Sequence, residues 1–376
     1  MNLCYMVKSF SYLTLLKAFV NSNINIKEIK SIQELEKDDL FLISKQYDNY
    51  NEVSKELDNV IIWEDILNKF YNYAIEKYFY NYDYYYLKNS LKSALKDNIE
   101  TIFVGSSYAR FGVEESLIKS PCVNLSLPSQ DIYYSCLIGR YIVSKNSNIK
   151  RVFIGTGYYS FYSDLSLTKE PELMRIADVY YPIFKDLHNC KELSKSVNLN
   201  LYEDKIFNIK IIVDFLCEDI FKKFNGEYFI EGRNRVKLRY ELEKMKDCKW
   251  SEIDDISKED CARERTAFHN KAIKYVTSYK ENIEILNSFV NYCNEKSIAV
   301  YMIVFPSTKF YKKYLLKQYR ESYISALNSI DGIIHLVDFN DINVFNDTDF
   351  VDTDHLDKSG AIKVCEIINN LNMHLE

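Results

Sequence analysis

Long apolar segments are missing from the 376-residue chain, and this absence limits where the protein can act. No stretch approaches the roughly 18 apolar residues that a membrane-spanning helix needs. The N-terminus, MNLCYMVKSFSYLTLLKAFVNSN, has a short apolar stretch but no long hydrophobic region and no small-residue cleavage site. It therefore does not have the pattern of a signal peptide. We expect a cytoplasmic protein with no stable membrane insertion.

Paired cysteines and a basic excess are missing as well. The nine cysteines include no CxxC pair, and an odd number in a chain of this length does not suggest a disulfide framework. We expect reduced thiols, many of them buried. The net charge of −6, from 48 basic and 54 acidic residues, argues against a nucleic-acid partner. With 47% hydrophobic and 27% charged residues, the composition indicates a globular protein with one large domain or two of ordinary size.

The chain also lacks a glycine-rich phosphate-binding loop, and this limits which function residues 1–65 can have. These residues have the pattern of a small α/β segment, a partial Rossmann-like unit, with strands at 38–45 and 59–67 around a helix at 50–57. The order strand, helix, strand favours a parallel pair. Because no GxGxxG is present, we expect neither a dinucleotide nor another cofactor. Residues 66–99 follow as a helical linker whose aromatic side chains recur at helical spacing, which indicates packing.

Residues 100–376 show a regular alternation of strand and helix patterns. Apolar, β-branched runs of strand length occur at 101–105, 122–127, 150–157, 297–306 and 332–339. Strands in which apolar residues do not alternate with polar ones are typical of parallel sheets that are buried on both faces. The segment therefore predicts a three-layer α/β/α sandwich with a parallel, flavodoxin-like sheet. A helical insertion at 158–266 interrupts it and is a candidate substrate lid.

Three polar stretches follow strands of this predicted sheet. They are Gly105–Ser106–Ser107, the turn after Gly157, and DFVDTDHLDKSG near the C-terminus. Parallel sheets bind ligands beyond the carboxyl ends of their strands. We therefore expect the three stretches to meet at one edge of the sheet.

The serine at position 107 has two interpretations. A serine next to the start of a helix is a preferred N-cap. A serine hydroxyl is also a nucleophile if a base accepts its proton and an acidic group orients that base. His355 can be the base, and Asp352, three residues earlier, can orient it. Asp354 is the alternative orienting group, although the spacing favours Asp352.

No metal site is predicted. The aspartates at 347, 349, 352 and 354 form a cluster, but it lacks the glycine and the final glutamate of a calcium loop. The histidines outside this region have no metal-ligand partner at short sequence spacing. They are His188, His269, His335 and His374.

Three stretches in this order resemble blocks I, II and V of the SGNH (GDSL-type) hydrolase superfamily. They are VGSSYAR, NLSLPSQD and FVDTDHLDKSGA. The resemblance covers residues 100–376 without the insertion, and it is strongest to the branch that modifies bacterial surface glycans. That branch includes O-acetyl transferases and esterases of polysaccharides and the D-alanine-transfer proteins of teichoic acids. The resemblance implies ester chemistry on a three-layer α/β/α fold.

The resemblance also assigns roles to individual positions. The third residue of the GDS triplet, the nucleophile, is Ser107, and Ser106 stands where aspartate is usual. His355 is the base, and Asp352 orients it. The expected oxyanion donors are the N–H of Ser107, the N–H of Ser129 at a position where glycine is usual, and Tyr158 where the family has an asparagine. Losing one such donor typically costs about 10² to 10³ in rate, unless the Tyr158 hydroxyl replaces it.

Two further residues are candidate substrate contacts. Arg110, three residues after Ser107, can hold a carboxylate or phosphate through two hydrogen bonds, or it can pair with an acid on a helix surface. Asn124, the first residue of NLSLPSQD, is the second candidate.

These patterns lead to one expected function and two alternatives. We expect a serine esterase or O-acyltransferase that acts on a saccharide or surface-polysaccharide precursor, with an acylated saccharide or another acyl donor as its partner. The first alternative is a non-catalytic SGNH-fold protein that binds a glycan or a partner in polysaccharide biosynthesis. The second is a nucleotide-dependent enzyme built on residues 1–65, which would need the phosphate loop that is missing.

Overall fold

The computed structural model describes residues 2–6, 13–47, 52–53, 55, 57, 59–190, 206–223 and 249–371. The chain divides into two compact units. The first comprises Met1–Tyr85 and Lys195–Val236, and the second comprises Tyr86–Ser194 and Lys237–Glu376. Among the described residues, no helix combines the length and the apolar character needed to cross a membrane.

The strands and helices alternate along most of the chain. The strands are β1 (Asn2–Tyr5), β2 (Asn25–Glu28), β3 (Leu40–Ile43), β4 (Val60–Ile62), β5 (Thr101–Gly105), β6 (Cys122–Asn124), β7 (Arg151–Thr156), β8 (Ala299–Val304) and β9 (His335–Asp338). The α-helices among the described residues are α1 (Leu13–Phe19), α2 (Trp63–Tyr80), α3 (Tyr82–Ala94), α4 (Ser107–Gly112), α5 (Ile132–Lys145), α6 (Tyr181–Phe184), α7 (Ile209–Lys223), α8 (Asp255–Asn270), α9 (Val276–Asn294), α10 (Lys309–Tyr314), α11 (Gln318–Asn328) and α12 (Lys358–Leu371).

The first unit contains a four-stranded parallel sheet in the order β2-β1-β3-β4. The predicted parallel pair corresponds to β3 and β4, whose register matches Phe41 with Val60. The predicted helix at 50–57 lies mostly outside the described residues. The sequence interpretation missed β1 and β2, because NLCY and NIKE have no adjacent aliphatic residues of the kind found in LFLI of β3 and VII of β4.

The unit boundaries differ from the predicted domain boundaries at 65/66 and 99/100. The first unit extends to Tyr85, so it includes α2, which was assigned to a linker. The predicted insertion 158–266 is divided, because Lys195–Val236 belongs to the first unit. Its last part is no separate lid, since Trp250 is buried in the core of the second unit.

The second unit is the predicted three-layer α/β/α sandwich. Its five parallel strands have the order β6-β5-β7-β8-β9. From β5 the chain moves to β6 at one edge of the sheet, and after β6 it moves in the opposite direction, through β7 and β8 to β9. Because crossovers between parallel strands are right-handed, α4 lies on one face of the sheet, and α5, α9 and α11 lie on the other. Helix α12 packs against α4, and α9 packs against α5. Both faces of the sheet are therefore covered, which explains why all five residues of β5 are buried.

A ladder of aromatic rings crosses the sheet at one level. The ring centroids of Phe103 and Phe153 are 4.8 Å apart, and those of Phe153 and Tyr301 are 4.6 Å apart. His335 stacks on Tyr301 at 4.9 Å and ends the ladder. The four residues are direct cross-strand neighbours, so the ladder stabilises the register of the central strands. The side chain of His335 therefore packs against the aromatic side chains of the sheet.

Gly105 makes the turn from β5 into α4. Its φ of +136° lies in a region that residues with a side chain rarely adopt. A Cβ at this position would lie 2.2 Å from the carbonyl oxygen of Gly155 on β7. The close approach lets the next N–H, that of Ser106, donate to the same carbonyl at 3.1 Å. The end of β5 is thereby fixed against β7, directly before the candidate serine.

We expect Gly105→Ala to lower the free energy of unfolding by at least about 2 kcal/mol, because it adds backbone strain and a contact with backbone atoms that cannot move freely. Urea denaturation followed by circular dichroism measures the change. An unchanged midpoint would show that the turn does not need glycine.

Candidate active site

Ser107, His355 and Asp352 lie in one hydrogen-bonded line. Ser107 Oγ is 2.9 Å from His355 Nε2, and His355 Nδ1 is 3.0 Å from Asp352 Oδ1. The relative exposure of the three residues is 8%, 1% and 5% in the same order. The structure thus brings together the three residues that the sequence interpretation selected. The geometry is that of a nucleophile, a base and an orienting acid.

The two serines of the GSS triplet have different roles in the structure. Ser106 is the N-cap of α4, and its hydroxyl accepts a hydrogen bond from the N–H of Tyr108 at 3.4 Å. Ser107 is the first residue of the helix, and its hydroxyl faces His355 instead. The N-cap interpretation therefore applies to Ser106.

A tight loop presents the histidine. Phe350 and Leu356 form an antiparallel bridge, and the N–H of Val351 donates to the carbonyl of His355 at 3.0 Å. Inside the loop, Asp352 Oδ1 accepts the N–H groups of Asp354 and His355 at 2.9 and 2.8 Å. The same oxygen faces the imidazole, so one carboxylate both shapes the loop and orients the ring.

Asp354 lies beside the same imidazole nitrogen. Its Oδ1 is 3.3 Å from His355 Nδ1, slightly further away than the Asp352 oxygen. Arg265 on α8 donates from Nε to both carboxylate oxygens of Asp354, at 3.1 and 3.2 Å. Burial alone would raise the pKa of the Asp354 carboxyl, but the Arg265 guanidinium and His355 hold that pKa well below its usual range. Asp354 is thus a charged member of an ion pair, and Asp352 makes the hydrogen bond to the ring.

Aromatic side chains enclose the histidine. The Tyr108 ring stacks on the imidazole with centroids 5.1 Å apart, and Phe111 meets it edge-on at 5.7 Å. The Tyr108 hydroxyl donates to Asp354 Oδ2 at 2.7 Å and lies 3.3 Å from the hydroxyl of Tyr159. Burial, followed by the Asp354 charge, raises the pKa of Tyr108 well above its ordinary value. Tyr108 therefore stays a neutral hydrogen-bond donor.

Sequence reasoning missed Tyr108 and Arg265. Tyr108 directly follows Ser107, so its position carried a weak signal. Arg265 is 89 residues away from Asp354 in the chain and lies in the predicted insertion, so no local pattern linked the two.

Ser129 occupies a turn whose backbone suits glycine. The N–H of Gln130 donates to the carbonyl of Leu127 at 3.2 Å, Pro128 is the second residue of the turn, and the φ of Ser129 is +57°. These are the features of a type II turn, in which the third residue is usually glycine. The N–H of Leu127 donates to the Gly105 carbonyl at 3.1 Å, which fixes the turn beside the start of α4. Serine thus adopts a left-handed backbone conformation at the position where the resemblance expects an oxyanion donor.

The hydroxyl of Tyr158, the third expected oxyanion donor, has a different partner. It donates to a carboxylate oxygen of Asp338 at the end of β9. A carboxylate is a stronger acceptor than a neutral oxygen. The structure therefore does not support Tyr158 as a replacement for the missing asparagine.

The two candidate substrate contacts have structural roles. Asn124 is 1% exposed, and its Nδ2 donates to the carbonyl oxygens of Ala109 and Val113, at 2.9 and 3.3 Å. It therefore fixes the end of α4 and is not available as a substrate contact. The guanidinium of Arg110 lies 4.1 Å from the centroid of the Tyr86 ring, and its charge lowers the pKa of Glu115 against the larger, opposite effect of desolvation. Of the two interpretations of Arg110, these contacts favour pairing within the protein.

Two groups of side chains within the described residues have the composition of a metal site. One is Asp352, Asp354 and His355, where Arg265 already supplies a positive charge. The other is Asp164, His188 and Glu281. The acidic residues at 347 and 349 pair with lysines instead, Asp347 with Lys258 at 2.8 Å and Asp349 with Lys363 at 2.7 Å.

The other histidines differ in their surroundings. His269 is buried, stacks on Tyr159 at 4.1 Å and bonds to the Tyr311 hydroxyl. His374 lies outside the described residues.

Comparisons with known proteins give little guidance. No protein-family profile matches the chain, and a search of curated proteins finds no match. Among solved structures, the chain is similar to a protein described as "a putative platelet activating factor from Streptococcus pneumonia". The identity is 7% and the TM-score 0.36, over 76% of this chain and 90% of the other. A similarity this low does not bear on function.

We expect Arg265→Gln to lower the free energy of unfolding by about 3 kcal/mol at pH 7, because it leaves Asp354 charged and buried without its partner. The loss should be smaller near pH 5, where the pKa of Asp354, no longer held down by Arg265, allows the carboxyl to bind a proton in the folded state. Urea denaturation at both pH values measures this.

Arg263→Gln is the matched control for this prediction. Arg263 lies on the same helix, but its side chain is 60% exposed and pairs with Glu259 at 3.5 Å, so its loss should cost less than about 0.5 kcal/mol. Equal losses for Arg265→Gln at pH 5 and pH 7 would contradict the assigned charge of Asp354.

Proposed function

We propose that the second unit is a serine esterase or O-acyltransferase of the SGNH type that acts on a saccharide or surface-polysaccharide precursor. The observation that carries the proposal is the line from Ser107 Oγ to His355 Nε2 at 2.9 Å and from His355 Nδ1 to Asp352 at 3.0 Å. The saccharide as substrate class rests on the resemblance of VGSSYAR, NLSLPSQD and FVDTDHLDKSGA to the glycan-modifying branch.

The first half of the reaction forms an acyl-serine. His355 Nε2 accepts the proton of Ser107 as Oγ attacks the carbonyl carbon of the ester. The carbonyl oxygen becomes an oxyanion, for which the N–H groups of Ser107 and Ser129 are the donors. His355 then gives its proton to the leaving alkoxide as the ester C–O bond breaks. Asp352 stabilises the imidazolium that exists between these two steps.

The second half releases the acyl group. A water molecule gives hydrolysis, and a sugar hydroxyl gives transfer; in both cases His355 accepts the proton of the attacking group and returns it to Ser107 Oγ. With two oxyanion donors in place of three, we expect a rate about 10² to 10³ below that of a complete site. A cytoplasmic location belongs to the same proposal. It is supported by the eight cysteines in the described residues, all of which have free thiols, as is usual in a reducing compartment.

A non-catalytic glycan- or partner-binding protein is the second candidate. Two observations favour it. The hydroxyl of Tyr158 bonds to Asp338, so the third oxyanion donor is missing, and Ser107 and His355 are 8% and 1% exposed, which leaves little room for a substrate. In this function the triad geometry would persist without turnover.

A fluorophosphonate probe distinguishes the two candidates. We expect one covalent adduct per chain by intact mass, absent from Ser107→Ala and strongly slowed in His355→Ala, because the probe needs an activated hydroxyl. Ser106→Ala is the matched control and should still react, since Ser106 is only the N-cap. A well-folded protein that forms no adduct, or an adduct that persists in Ser107→Ala, would contradict the catalytic proposal.

We expect Asp352→Asn to slow the reaction with the same probe by about 10³- to 10⁴-fold, because an amide orients the ring in the wrong tautomer. Asp341→Asn serves as the control: the Asp341 side chain is 58% exposed and pairs with Arg320. Labelling rates from a time course of intact masses measure the effect. A rate within about threefold of the parent would show that Asp352 does not orient the base.

A further inference from the structure

A second polar cluster lies in the same unit and has no part in the proposed chemistry. Three side chains direct one acceptor atom each toward the amide nitrogen Nδ2 of Asn189. The distances are 3.0 Å from Asp164 Oδ2, 3.1 Å from His188 Nε2 and 2.9 Å from Glu281 Oε2. The three acceptor atoms also lie within 4.8 Å of one another. They therefore surround a single point.

The amide cannot satisfy all three acceptors. An Asn side chain has two N–H hydrogens, so at most two of the three contacts are full hydrogen bonds. Turning the amide over would place its oxygen against two carboxylates, which is repulsive. The cluster thus contains one more hydrogen-bond acceptor than the two N–H hydrogens of the amide can satisfy.

Among the residues that the structure describes, no basic side chain pairs with the negative charge of the cluster. Within the described ranges, no lysine or arginine lies within 4 Å of the carboxylates of Asp164 or Glu281. Asp164 is 7% exposed, so water screens its charge little, and the Glu281 carboxylate lies close to it. A cation at the centre would relieve the repulsion between the two carboxylates.

The histidine is held with Nε2 toward the centre. Its ring stacks on Tyr133 with centroids 3.7 Å apart and an interplanar angle of 13°. The backbone N–H of His188 donates to Asp186 Oδ1 at 2.8 Å, and the same oxygen accepts the Tyr133 hydroxyl at 2.7 Å, which holds the stacked Tyr133 ring in place. The backbone of His188 has a φ of +47°, which few residues adopt without a compensating contact. These contacts fix the ring direction.

We infer that Asp164, His188 and Glu281 bind a divalent first-row metal ion at the point where Asn189 Nδ2 lies. Two carboxylate oxygens and one imidazole nitrogen are ligands that suit Mn²⁺ and Zn²⁺. Metal–ligand distances of about 2.0–2.2 Å require the three atoms to close in by about 0.9 Å. The side chain of Asn189 turns aside to admit the ion. The ion ties the segment after β7 to helix α9, which carries Glu281.

Mn²⁺ is the best probe, because it prefers oxygen and nitrogen ligands and the cysteine thiols compete poorly for it. Full-length protein freed of metal by chelator is titrated with Mn²⁺, and the electron paramagnetic resonance signal of free Mn²⁺ reports binding. We expect one ion per chain. Glu281→Gln and His188→Asn should each weaken binding at least about tenfold. Asparagine is chosen because it tolerates a positive φ.

Two further variants make the test specific. Glu284→Gln removes one negative charge from α9, as Glu281→Gln does, but at an exposed position. It should leave Mn²⁺ binding unchanged. Asn189→Ala removes the amide that the ion displaces, so it should bind Mn²⁺ at least as tightly as the parent. Absence of saturable binding, or equal binding by Glu281→Gln and the parent, would overturn the inference. If His188→Asn does not fold, Glu281→Gln decides alone.

Discussion

The ion pair between Arg265 and Asp354 is the interaction on which the candidate site depends. Two carboxylates lie within 3.3 Å of the same nitrogen of His355. Without a cation beside it, Asp354 would be a buried carboxylate with an uncompensated charge next to the ring. Arg265 binds both oxygens of Asp354 and so compensates this charge. Asp352 is left as the group that hydrogen-bonds to the imidazole.

The same pair links the site to its aromatic surroundings. Tyr108 donates to Asp354 while its ring covers His355, so the ion pair also fixes the tyrosine that follows Ser107. Burial makes each of these contacts stronger and makes the loss of any partner more costly. A site built in this way is rigid, which suits catalysis by pre-organised groups. It is also closed, which is why a binding function remains the second candidate.

Much of the site could be predicted from the sequence, because parallel strands bring their carboxyl ends to one edge. This rule placed Ser107 near His355, although 248 residues separate them. Local rules also apply to the type II turn at Ser129, where proline precedes the strained position. The partners of Arg265, Tyr158 and His188 could not be predicted, because each depends on how helices and loops pack between distant parts of the chain. The strands β1 and β2 were missed for a different reason, since NLCY and NIKE contain no adjacent aliphatic residues.

If Ser107 is the nucleophile that we propose, it carries an acyl group during turnover. The most direct measurement is rapid acid quenching of the protein during reaction with an aryl acetate, followed by mass analysis of the peptide that contains Ser107. We expect an acetyl group on Ser107 that disappears when the ester is exhausted. Turnover without an acetylated Ser107, or a stable acetyl group on another side chain, would contradict it.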